Sequence, residues 1–152
     1  MDEDEFRATY HELNEHRCVF EKALASRVCA CDRAHHFALA DREGIACTSG
    51  ASRTDCDSLL GLLRNASRFT LQLTRIDGPL PHAREIRVQN GGLLGLQHAT
   101  SPDVQDTTRV ENVAALVDEA KSIYGSLGQL PYDRIVKSVL AFQGRRKRSR
   151  KR

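Results

Sequence analysis

Residues 18–56 read CVFEKALASRVCACDRAHHFALADREGIACTSGASRTDC, and they hold every cysteine of the chain: Cys18, Cys29, Cys31, Cys47 and Cys56. The gaps between them are ten, one, fifteen and eight residues, and nothing after Cys56 carries another thiol. Thiolates are soft donors that bind zinc or iron–sulfur clusters, and either needs four of them, or three and a histidine. The stretch is therefore expected to fold around a metal or a cluster. The signal is the clustering itself, because the gaps match neither the paired knuckles of zinc fingers nor the ferredoxin runs. Two other readings stand beside it: small buried hydrophobes, a common state of free cysteine, and redox-active thiols.

Missing knuckles weigh against structural zinc, and an all-thiolate set without a placed acid or base weighs toward an iron–sulfur cluster used for electron transfer or redox sensing. The expected ligands are Cys18, Cys29, Cys31 and Cys47, with Cys56 as alternative ligand or core residue. His35 and His36 offer a replacement fourth ligand, against the plainer reading of a polar surface pair.

Within the stretch, residues 19–28 suit a helix, with Phe20, Leu24 and Val28 four apart. Ten helical residues span about 15 Å, too far for Cys18 and Cys29 to share an ion unless that segment is shorter or bent. Residues 33–42 fit strand or helix, 45–48 a short extended piece, and Ser49-Gly50 a turn. The clearest helix follows, from a Ser52-x-x-Asp55 capping pattern to about Leu71, with Cys56, Leu59, Leu60, Leu63 and Ala66 or Phe69 on one stripe. Its N-terminal partial charge favours a thiolate at Cys56.

Outward from there, residues 2–13 read as a short helix on Phe6, Tyr10 and Leu13. A turn is expected at 77–81, where Pro79 and Pro81 flank Leu80. Residues 85–89 and 93–97 read as two strands joined by Asn90-Gly91-Gly92, since Asn and Gly accept the positive φ of a hairpin turn; 98–106 reads as loop. Two helices close the body. One covers 108–124 and stops at Gly125; the other covers 132–142 behind Pro131, with Ile135, Val136, Val139 and Leu140 on its apolar face. The fold class is α+β and mainly helical: a cysteine-rich N-terminal lobe over about 18–56, a small β-hairpin and a C-terminal helix pair. One domain is expected over 1–144, with a disordered basic tail at 145–152.

That tail is RRKRSRKR, in which Arg145, Arg146, Lys147, Arg148, Arg150, Lys151 and Arg152 carry seven of the chain's cations. The formal net charge is +3, so the remaining body is mildly acidic. Such a run pairs with phosphates of nucleic acid or anionic lipid, or docks an acidic protein, and it resembles a nuclear-localisation patch. The N-terminus is acidic, no secretory signal follows, and no apolar run has the length of a membrane span. Reduced thiols and a cytoplasmic place, nuclear in a eukaryotic source, are the matching expectations.

No nucleophile elbow, phosphate-binding loop, HExxH zinc motif or dinucleotide fingerprint is present, so an enzyme is the less favoured class. The expected function is a small non-enzymatic metalloprotein carrying an iron–sulfur cluster or zinc and serving a redox partner. The alternative is a nucleic-acid-binding accessory protein with a structural cysteine site and a phosphate-contacting tail.

Overall fold

The computed structural model describes residues 4, 5, 8, 14–71 and 80–142, of which Asp4, Glu5 and Ala8 are helical. The rest of the helix expected at 2–13, most of the 77–81 turn and the whole basic tail lie outside the described residues. Among those described, a short helix α1 (Glu21–Ala25) precedes an antiparallel pair, β1 (Ala34–Leu39) and β2 (Arg42–Cys47). Helix α2 (Gly50–Ala66) follows, then α3 (His82–Ile86), a π-helical turn (Arg87–Gly91), α4 (Gly92–Thr100), α5 (Val113–Tyr124) and α6 (Tyr132–Ala141). The architecture is mainly helical α+β, with a single two-stranded hairpin among the described residues.

The hairpin is not where the Asn-Gly-Gly signal put it. Residues 82–100 run as one helical rod, and Asn90, Gly91 and Gly92 are buried in it. The glycines serve packing instead of a turn. A Cβ on Gly91 would stand 2.6 Å from Val139 Cα, and one on Gly95 would stand 2.8 Å from the Ile135 carbonyl oxygen. The rod and α6 therefore touch backbone to backbone, which only glycine permits. Gly92 makes room for Leu63 of α2 in the same way, at 2.8 Å.

The actual hairpin pairs Ala34 with Cys47 and Leu39 with Arg42. Gly44 lies under the Phe37 ring, so close that a Cβ there would be 2.4 Å from Cζ. Residues 16–18 add a third, short rung on the far edge of β2: Cys18 N donates to Ile45 O at 2.9 Å and Cys47 N to His16 O at 2.7 Å.

Helix α2 starts earlier than its Ser52/Asp55 pattern implied. Ser49 is the N-cap and accepts a hydrogen bond from Ser52 N at 3.2 Å. Asp55 instead takes Lys121 of α5 at 2.9 Å. The helix ends at Ala66, so Phe69 falls beyond it and is 88% exposed, off the apolar stripe. The helix expected at 108–124 begins only at Val113, because Val110 is drawn into a parallel bridge with Cys29. Gly125 closes it with φ of 90°. On α6, Ile135 and Val139 are buried, but Leu140 faces outward.

The core joins Phe20, Ile45, Leu59, Leu63, Leu93, Val117 and Ile135 into one cluster reaching from the cysteine-rich lobe to the last helix. A line of buried polar groups crosses it. Glu85, 1% exposed, accepts from the Arg64 guanidinium, with Nε at 3.0 Å from one carboxylate oxygen and 3.2 Å from the other. Gln89 Oε1 accepts from Ala23 N at 3.1 Å, and Asn90 Nδ2 donates to Ser26 Oγ at 3.1 Å. Gln97 Nε2 donates to Arg109 O at 2.8 Å. Each link holds the rod to another segment while leaving few buried polar atoms unmatched.

Candidate functional site

Four cysteines from four separate segments face one small cavity. Cys18 lies in the turn before α1, Cys31 just ahead of β1, Cys47 at the end of β2, and Cys56 in the second turn of α2. The local folding explains each placement. The 16–18 rung brings Cys18 beside β2, the hairpin register sets Cys47 opposite Ala34, and the Ser49 cap launches α2 so that Cys56 turns back toward the strands. Phe20, Leu24, Val113 and Ala114 supply apolar wall, and Arg33 and Arg53 also border the space. The cavity measures about 20 Å³, enough for one water-sized occupant, for which about 10–15 Å³ is the minimum.

Cys29 stands apart. It is buried, bridged to Val110 and not among the residues around this cavity. The short α1 removes the length problem of a ten-residue helix, yet it brings Cys56 and not Cys29 to the other three. His35 and His36 are exposed; His36 Nδ1 is paired with Glu43 across the hairpin, away from the thiols. All five cysteines are free.

Electrostatics favour the protonated form at two of the four. Burial pushes Cys18 up from 9.0 to about 12, opposed by the Phe20 backbone N–H and reinforced by Cys31 and Cys47. Burial likewise takes Cys56 up to about 12, and Cys18, Cys31 and Cys47 each add to the rise. The expected help from the helix N-terminus does not prevail, since Cys56 lies six residues past Gly50 and the dipole's influence fades within the first turn. Cys29 is raised to about 12 by burial too, with the Val110 backbone N–H pulling it down and no other cysteine acting on it.

The sulfurs are gathered but not pre-set. Among the described residues no group of three or more His, Cys, Asp or Glu is disposed to hold a metal ion as it stands. Cys47 Sγ donates to Ser49 O at 3.2 Å, turning one thiol to the backbone. What the arrangement offers chemically is four neighbouring thiols, mutually repulsive once ionised.

Comparison with protein-family models, curated proteins and solved structures gave no match. No helix among the described residues is long and apolar enough to cross a membrane.

Proposed function

We propose that the chain is a non-enzymatic metalloprotein in which Cys18, Cys31, Cys47 and Cys56 bind one metal centre as thiolates. The observation that carries this reading is the convergence of these four side chains, from segments spread over 18–56, on one cavity. Four neighbouring thiolates repel one another, and a cation reverses that balance; binding then proceeds with loss of protons to water. Cys47 gives up its bond to Ser49 O in the process.

The size of the space favours a single Zn²⁺ over a cluster, for which the four segments would have to spread. Four protein ligands make a closed site with no position for substrate, so its work is structural: it ties the turn before α1, the hairpin and α2 into one lobe. An iron–sulfur centre serving electron transfer is the second reading, and the all-thiolate donor set supports it.

Metal analysis and an absorption spectrum of protein purified without oxygen test the proposal. One zinc per chain and no visible absorption is the expected result. Iron with inorganic sulfide and visible absorption establishes the cluster instead, and metal-free protein refutes both. Cys→Ser changes at positions 18, 31, 47 and 56 should each abolish binding, whereas Cys29→Ser should retain the metal. Equal loss with Cys29→Ser would show that burial, not ligation, is what the variants report.

A further inference from the structure

We propose that the outer edge of β1 pairs with the same edge of a second copy of this chain, antiparallel and about a two-fold axis at His36, so that two hairpins join into one sheet across a homodimer. The thiols take no part, and the pairing does not depend on the metal reading. Strand β1 has β2 on one side only. Thr48 N donates to Arg33 O at 2.8 Å, and the register runs on from that bond, so residues 33, 35 and 37 turn their backbone groups toward β2. Residues 34, 36 and 38 turn theirs outward. The Ala34 N–H is taken by Cys31 O at 3.2 Å. Among the described residues, no backbone bond is made on that side by the Ala34 carbonyl or by the N–H and carbonyl of His36 and Ala38. Both His36 and Ala38 are exposed.

This edge carries none of the devices that keep strands apart. β1 reads AHHFAL, without Lys, Arg, Asp, Glu or Pro, and its register with β2 is unbroken by a bulge. Natural edge strands are blunted by charge, by proline or by such a bulge. A two-stranded ribbon is also marginal by itself, and further strands stabilise it.

Self-complementarity names the occupant. Read outward from His36, the strand is symmetric in character: rings at His35 and Phe37, then methyl groups at Ala34 and Ala38. An axis at His36 lets that residue exchange both backbone bonds with its own copy. The Ala38 N–H then meets the Ala34 carbonyl of the second copy, and symmetry repeats the bond, so every outward N–H of His36 and Ala38 is satisfied. On one face the small Ala34 and Ala38 side chains oppose each other without a clash. On the other, His35 and Phe37 already stack within the strand, ring centroids 6.3 Å apart. The axis sets each of them opposite the other's counterpart, so the rings of both copies meet, and cross-strand aromatic pairs stabilise a sheet. An axis at Phe37 would make as many bonds but oppose a single pair of rings.

Sedimentation equilibrium of the full-length protein, under reducing conditions, tests the pairing. The parent should shift from the monomer mass toward twice that mass as concentration rises; the edge is short, so the dimer is of the weak, concentration-dependent kind. Ala38→Pro removes an outward N–H that the hairpin does not use, at an edge position where proline is tolerated. It should weaken association at least about tenfold with an unchanged circular dichroism melt. Should that variant melt lower, Ala38→Lys takes its place, since Glu43 stands opposite it in the hairpin and a lysine on an edge blocks pairing. The register has its own readout. Opposed residues of a hydrogen-bonded pair stand about 5.5 Å apart at Cα, inside the range that a disulfide spans. His36→Cys should therefore cross-link between copies under glutathione disulfide, and His35→Cys, which faces Phe37 of the second copy, should not. The parent, whose cysteines are all free, sets the baseline under the same oxidant. A parent that stays monomeric at every concentration overturns the proposal. So does a dimer that both Ala38 variants leave intact, or a cross-link no faster in His36→Cys than in His35→Cys.

Discussion

Replacing Gly91 by Ala pits two known effects against each other. In a helix interior Ala is favoured over Gly by about 0.8–1 kcal/mol. Gly91, however, sits where the added methyl carbon would come within 2.6 Å of Val139 Cα, 2.8 Å of Ser138 O and 3.0 Å of Val139 N. These are backbone atoms, so no side chain can rotate away, and the rod must back off α6 by the better part of an ångström. Overpacking of this kind costs about 1–3 kcal/mol, with rigid obstacles at the upper end. The net is a destabilisation of about 2 kcal/mol, which for a chain of this size lowers Tm by about 4–8 °C. Gly61 is the built-in control. It lies in α2, exposed, and a methyl carbon added there would meet nothing within 4 Å. Gly61→Ala should therefore raise stability by about 0.5–1 kcal/mol. Urea unfolding followed by circular dichroism measures both. If Gly91→Ala matches Gly61→Ala in sign, the rod and α6 do not meet backbone to backbone.

Further outcomes follow from the ion pair, the cap and the thiols. Glu85→Ala strands the Arg64 guanidinium, whose side chain is 16% exposed, and should cost about 3–5 kcal/mol, read as a lower urea midpoint. Ser49→Ala removes the α2 cap and should cost about 1 kcal/mol in the same assay. For chelator-treated protein, Cys18, Cys29 and Cys56 have folded-state pKa values raised from 9.0 to about 12 by burial, above those of the unfolded chain. Their contribution is thus fully present below pH 9 and is lost as pH climbs from 9 toward 12. Thermal melts across that window should fall steeply without metal and less so with it, since bound thiolates have already lost their protons. A potentiometric titration should also show protons released as metal is added, and tighter binding as pH rises.

The parts of the fold legible in the sequence are those where period and punctuation agree. In α6 the apolar spacing and Pro131 mark boundaries that the structure follows closely, and in α5 Gly125 marks the end, whereas the start falls at Val113 and not at Thr108. Asn90-Gly91-Gly92 misleads because the feature that lets glycine turn a chain, the missing Cβ, also lets two helices meet. The true hairpin is hard to read for the opposite reason. Its turn uses Ala40 at φ 55° with no glycine, and its first strand carries adjacent exposed histidines instead of a clean alternation. The grouping of thiols in 18–56 is visible as composition. That Cys56 joins the cavity and Cys29 leaves it is not, because the choice is made by a bridge from Cys29 to Val110, a residue eighty-one positions away in sequence.

The π-helical turn at Arg87–Gly91 has its own consequence. One wide turn shifts the phase of everything after it by roughly one residue relative to a uniform α-helix. Upstream of it Glu85 is aimed at Arg64, and downstream Gly95 is aimed at α6. Deleting a single residue inside the turn would straighten the rod into regular winding and leave one of those two faces rotated by about a hundred degrees.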